Sequence, residues 1–153
     1  MDNIKVGDSA KDFQLKDQNG NEHTLSQYKG KRVLLSFHPL AWTEICAKQM
    51  KSLEDNKEVF DSQNTIALGL SVDSVPCKKA WAESLGVKNT PLLSDFWPHG
   101  AVADEYGIFL DDRGISSRAN IIVNEEQKVV FVKIYEIMQL PDINEILDFI
   151  GKT

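Results

Sequence analysis

Chemistry in this sequence could start at Cys46. It closes the segment Phe37-His38-Pro39-Leu40-Ala41-Trp42-Thr43-Glu44-Ile45-Cys46, in which an apolar run of strand length gives way to a helical pattern. Thr43 has the side chain of an N-cap, so Cys46 falls at about the third helical position. There, unpaired N–H groups and the positive end of the helix dipole favour a thiolate over a thiol. A thiolate acting on a peroxide oxygen needs three things: shielding from bulk water, a partner for the oxygens and donors for the developing charge. Pro39 can shield the sulfur, the Thr43 hydroxyl can hydrogen-bond the oxygens, and the helix N–H groups can receive the charge. A cysteine buried only for packing fits the same position, and helix-dipole arguments alone leave both readings open.

The elements that must hold this segment are legible as a pattern. Asp17-Gln18-Asn19-Gly20-Asn21-Glu22 places an Asn-Gly turn between two short runs, which predicts a small N-terminal hairpin decorating the main fold. Arg32 to Phe37 predicts a buried central strand, and Ile45, Met50, Leu53 and Phe60 predict a helix of roughly five turns after Thr43. Thr65 to Val72 reads as a second buried strand parallel to the first, and Ser74-Val75-Pro76 opens a helix that ends at Gly86. Pro91 to Ser94 predicts a short strand and Val102 to Tyr106 a short helix closed by Gly107. Ala119–Val123 and Lys128–Lys133 form a hairpin around residues 124–127. A last helix starts at Pro141 with Ile143, Ile146, Leu147 and Ile150 on one face. A βαβ unit followed by a hairpin and a C-terminal helix is the α/β layout of a thioredoxin-like fold, a central mixed sheet flanked by helices, expected here as one domain over residues 1–153.

Composition narrows the functions available. With 17 Lys and Arg against 23 Asp and Glu, the net charge of -6 argues against a basic surface for nucleic acid or anionic lipid. The N-terminal residues lack a signal-peptide pattern, and the apolar runs are too short to cross a bilayer of about 30 Å, so a cytoplasmic location is expected. Two cysteines, Cys46 and Cys77, are too few for a disulfide scaffold or a thiolate zinc site. Cys46, His38 and His99 lack metal-ligand spacing, so neither a metal nor another cofactor is expected.

Pro39, Thr43 and Cys46 are spaced as Pro-x-x-x-Thr-x-x-Cys, and the sequence resembles the peroxiredoxins in this signature and in its setting between a buried strand and a long helix. The likeness runs from Gly7-Asp8-Ser9-Ala10-Lys11-Asp12-Phe13 through Ser71-Val72-Asp73-Ser74, Lys79-Ala80-Trp81-Ala82 and Pro91-Leu92-Leu93-Ser94-Asp95 to Arg118. It is a likeness to the AhpC/TSA type of thiol peroxidase, closest in layout to peroxiredoxin Q and thiol peroxidase-like members with an atypical two-cysteine cycle. The resemblance implies reduction of hydrogen peroxide or organic hydroperoxides, with Cys46 as the peroxidatic cysteine. It also implies that Arg118, just before a late strand, stabilises the thiolate and polarises the peroxide, a task suited to a planar fork of donors.

One departure is Gln49, three residues after the cysteine, where related sequences often carry Glu. An amide can accept a hydrogen bond from the arginine but supplies no charge. His38 could tune local charge or serve as a structural hydrogen-bonder, and Trp42 could line the pocket or cover it.

In family members with an intrachain resolving cysteine, the second thiol condenses with the sulfenic acid, and a thioredoxin or similar thiol reopens the disulfide. Cys77, at the start of the helix opened by Ser74-Val75-Pro76, is the only internal candidate here, and the helix dipole could again favour its thiolate. A disulfide needs Cα atoms roughly 4.4–6.8 Å apart; if two folded helix starts hold them farther away, local unwinding of both first turns would be part of the cycle. Otherwise Cys77 is a packing or surface residue and an external thiol resolves Cys46. A disulfide reductase is disfavoured because Thr43 replaces the first thiol of a Cys-x-x-Cys pair. A redox sensor without turnover remains a different class of function. The resemblance also suggests a monomer or homodimer, with Phe96, Trp97 and Phe109 either an exposed interface patch or part of the core.

Overall fold

The computed structural model describes residues 3–153. Its centre is β3 (Arg32–Phe37), which is buried along its whole length and runs parallel to β4 (Thr65–Ser71), from Arg32 opposite Thr65 to Phe37 opposite Leu70. Apolar residues on successive positions suit a strand covered on both faces. Val33, Leu35 and Phe37 face one cluster with Tyr106 and Ile121, while Leu34 faces another with Met50, Phe60 and Trp81.

The crossover between these strands is α1 (Glu44–Asp55) followed by α2 (Lys57–Ser62). The long helix expected from the pattern is therefore broken at Asn56, whose side-chain amide donates to the Ser52 carbonyl at 2.8 Å and competes with the helical ladder. After β4 comes α3 (Val75–Leu85), capped by Ser74 and ended by Gly86 in the left-handed conformation. Next are β5 (Leu92–Ser94), parallel to β4, and α4 (Ala101–Glu105).

At the other end of the sheet, β1 (Gln14–Lys16) and β2 (Glu22–Thr24) form the expected hairpin. It is more than a decoration, because β1 pairs with β5 at Lys16 and Ser94 and so extends the central sheet. An uncovered β5 would present unpaired backbone groups. The Gln18 side chain continues this cover, donating to the Thr90 carbonyl and accepting from the Leu92 N–H.

A small ribbon of β6 (Phe109–Leu110) and β7 (Ile115–Ser116) precedes β8 (Arg118–Val123), which lies antiparallel to β3 and pairs with β9 (Val129–Tyr135). The strand order of the seven-stranded sheet is β2-β1-β5-β4-β3-β8-β9. The chain ends in α5 (Ile143–Lys152), which buries Ile146 and Ile150 against the same side as α1. Its N-cap is Asp142 rather than Pro141, since the Asp142 carboxylate accepts from the Asn144 N–H. Among the described residues, no helix is long and apolar enough to cross a membrane.

Candidate active site

The loop leaving β3 carries Pro39 and Thr43 and delivers Cys46 into the first turn of α1. Thr43 holds the N-cap position, but its hydroxyl donates to the Leu40 carbonyl at 2.8 Å instead of capping the helix. The first helical bond, Ala47 N–H to the Thr43 carbonyl, leaves the amides of Glu44, Ile45 and Cys46 ahead of the ladder. Cys46 is fully buried at the base of a cleft of about 280 Å³, lined by Pro39, Leu40, Thr43, Arg118, Ile137 and Met138 among others. Trp42 is not among the lining residues. It is 57% exposed and in a left-handed backbone conformation.

Arg118 enters from the start of β8, across the sheet from α1. Its guanidinium is buried and each of its three nitrogens donates. Nε and Nη2 donate to the Ile137 carbonyl at 3.0 and 2.7 Å, and Nη1 donates to Gln49 Oε1 at 2.6 Å and to Cys46 Sγ at 3.3 Å. Gln49 is itself fixed, because its amide nitrogen donates to Ser36 Oγ and the Phe37 carbonyl, which turns its oxygen toward the arginine. The amide therefore orients Arg118 without neutralising it. Among the described residues, no carboxylate oxygen lies within 4.0 Å of that guanidinium. A buried cation needs compensating partners, and the sulfur of Cys46 lies within reach of this one at 3.3 Å. Arg113 joins the rim of the cleft as an exposed residue.

Cys77 lies in the first turn of α3, half-buried and unpaired with Cys46. Its surroundings oppose the effect expected from the helix dipole. Burial and the nearby Asp73 carboxylate push its thiol above the ordinary range, and Sγ lies 3.8 Å from Asp73 Oδ1. Asp73 also ties this helix to the Cys46 loop, since its other oxygen accepts from the Ala41 N–H at 2.8 Å and from Ser71 Oγ at 2.6 Å.

Asp73 was not singled out by the sequence pattern, and neither was Lys78, which is fully buried. Lys78 did leave a signal, because it falls on the same face of α3 as Trp81, Ala82 and Leu85. Its Nζ lies 3.2 Å from Nε2 of His38, which burial and the adjacent Lys78 hold well below its ordinary range. His38 is thus a neutral structural hydrogen-bonder. Of the proposed apolar patch, Phe96 and Trp97 are exposed, whereas Phe109 packs against the core.

The fold and the thiol site together define a class, and comparisons with known proteins agree. Residues 6–132 match the AhpC/TSA family. Alkyl hydroperoxide reductase E of Mycobacterium tuberculosis is 43% identical over 131 residues, covering 85% of each chain. A thiol peroxidase of Streptococcus agalactiae is 32% identical over 130 residues, covering 85% of this chain and 77% of that one. The crystal structure of a reduced 2-Cys peroxiredoxin from Plasmodium vivax superposes with a TM-score of 0.86 at 29% identity, covering 95% of this chain and 80% of that one. The chain belongs to the AhpC/TSA family: it is a peroxiredoxin, a thiol peroxidase on a thioredoxin-like fold.

Proposed function

We propose that this single domain reduces hydrogen peroxide or an organic hydroperoxide with the Cys46 thiolate as nucleophile. The observation that carries the reading is the Arg118 Nη1 contact of 3.3 Å to Cys46 Sγ, from a buried guanidinium with no carboxylate partner among the described residues. The thiolate attacks one peroxide oxygen, the O–O bond breaks, Cys46 becomes a sulfenic acid, and the departing alkoxide or hydroxide takes up a proton. Arg118 stabilises the charge on both sulfur and oxygen. Thr43 spends its hydroxyl proton on the Leu40 carbonyl, so its oxygen is free to accept the peroxide O–H. Pro39 closes the loop side of the sulfur, and the apolar walls at Leu40, Ile137 and Met138 leave room for an organic substituent.

Cys77 then condenses with the sulfenic acid to give a disulfide and water, and thioredoxin or a similar dithiol in a reducing cytoplasm restores both thiols. A one-cysteine cycle is the second reading, favoured by the Asp73 contact that holds the Cys77 thiol protonated. Steady-state peroxide reduction by wild type, Cys46→Ser and Cys77→Ser, each with thioredoxin and with dithiothreitol, separates these. Cys46→Ser should be inactive with both reductants, and retained activity there would overturn the proposal. Cys77→Ser should lose only the thioredoxin-supported rate. Full retention of that rate would establish the one-cysteine cycle.

A further inference from the structure

Lys78 is a lysine with no exposed surface and no carboxylate oxygen within 4.0 Å among the described residues. Its Nζ meets Nε2 of His38 at 3.2 Å and lies 6.0 Å from the centre of the Trp81 ring, against which the His38 ring is tilted at 5.3 Å. His38 is the root of the Cys46 loop. Its N–H bonds to the Leu70 carbonyl, its own carbonyl accepts from Ser116 Oγ, and Pro39 follows it directly. The contact therefore joins the first turn of α3, where Cys77 sits, to the loop that carries Cys46. Asp73 makes a second tie between the same two parts through the Ala41 N–H and the Cys77 thiol.

We propose that Lys78 is a positioning residue that latches the start of α3 to the Cys46 loop through His38, and that the latch tightens as the pH rises above neutrality. Its use in catalysis rests on the proposed resolving role of Cys77 and on the start of α3 opening for that step.

The sign follows from where the proton is held. Burial lowers Lys78 to about 7, against the attraction of the Asp73 and Asp95 carboxylates; the Cys77 and Cys46 thiols also face it, and Arg118 faces His38 from β8. When the first turn of α3 opens, Lys78 meets water and returns toward its ordinary value of 10.5. Between those values the open form binds one proton more than the closed form, so each rise of one pH unit lowers the opening constant by about tenfold. Below the lower value both forms are protonated and the dependence vanishes. His38 titrates below this window. Cys77, pushed upward in the closed form, opposes the effect only at higher pH, which fixes the range to be measured.

Amide hydrogen exchange over residues 75–82 of the reduced protein, divided by the intrinsic amide rate, reads the opening constant from about pH 7.2 to about pH 8.5. In wild type it should fall by about tenfold across this range, steepening toward the upper pH. In Lys78→Met it should be level and higher than wild type at the upper pH. Lys78→Gln, which keeps a neutral donor toward His38, should also be level and covers the case in which the methionine variant does not fold. A level profile in wild type, or the wild-type slope in either folded variant, would overturn the latch. Mass spectrometry of the peroxide-treated protein separates the two readings. The predicted slope with no Cys46–Cys77 disulfide refutes resolution by Cys77 and supports the latch.

Discussion

Arg118 carries the geometry of the site because four contacts converge on one planar group. A point-charge ammonium could reach the sulfur, the Gln49 oxygen or the Ile137 carbonyl, but not all three in one plane. Arg118→Lys should therefore slow oxidation of Cys46 by about a hundredfold, as expected for loss of a preorganised donor, in stopped-flow measurements with hydrogen peroxide. Gln49→Leu should preserve the charge but lose the oxygen that aims it, leaving Ser36 Oγ and the Phe37 carbonyl without their donor. A rate loss of about tenfold in the same assay is the expected outcome, with a lower melting temperature from the buried groups left unpaired. The position of Gln49 was legible in the sequence. Its acceptance of a hydrogen bond from Arg118 was expected and is found; the anchoring of its nitrogen by β3, which aims that oxygen, was not legible.

Between elements, carboxylates do the joining. Glu54 near the end of α1 accepts the backbone N–H groups of Lys88, Asn89 and Thr90 and the Thr90 hydroxyl, fastening the turn that leads into β5. Burial acts to raise Glu54, but these donors outweigh it and hold the carboxyl below its ordinary value. Its stabilising effect is therefore present above the unfolded value and lost as the pH falls through the folded one. Asp95 has the opposite sign. Burial pushes it up to about 6, although it accepts from the Val102 and Ala103 amides at the start of α4. Its folded form prefers the proton, so between the unfolded value of 3.8 and about 6 it removes stability as the pH rises. The melting temperature of Asp95→Asn relative to wild type should consequently rise from about pH 4 to about pH 7. The same difference for Glu54→Gln should fall from about pH 3 to about pH 5 and stay level above, and thermal unfolding monitored by circular dichroism checks both.

For the whole molecule, one tight constraint lies where sheet and helices meet. Gly69 in β4 has an ordinary extended backbone, yet a Cβ there would run into Met50 Sδ from α1 and Leu92 Cδ2 from β5. Gly69→Ala should cost about 1–3 kcal/mol of unfolding free energy by overpacking, measured by urea denaturation. Because Met50 shares a helix with Cys46, the same variant should also slow peroxide reduction.

Strand and helix periodicity, the Asn-Gly turn and the thiol signature are local in sequence, so the central strands, most helices, Cys46 and its helix-start position followed from the chain alone. The break at Asn56, the joining of β1 to β5 and the burial of Lys78 did not follow. The break comes from one local side-chain bond, Asn56 to the Ser52 carbonyl, that competes with the helical ladder, whereas the other two depend on contacts between elements far apart in sequence. Cys77 shows the division most directly. Its place at a helix start was readable from Ser74-Val75-Pro76, and that place by itself favours a thiolate. Burial and the Asp73 carboxylate act in the other direction and push the thiol up. Only the folded chain decides between them, because desolvation and charge act through distances that the sequence does not contain.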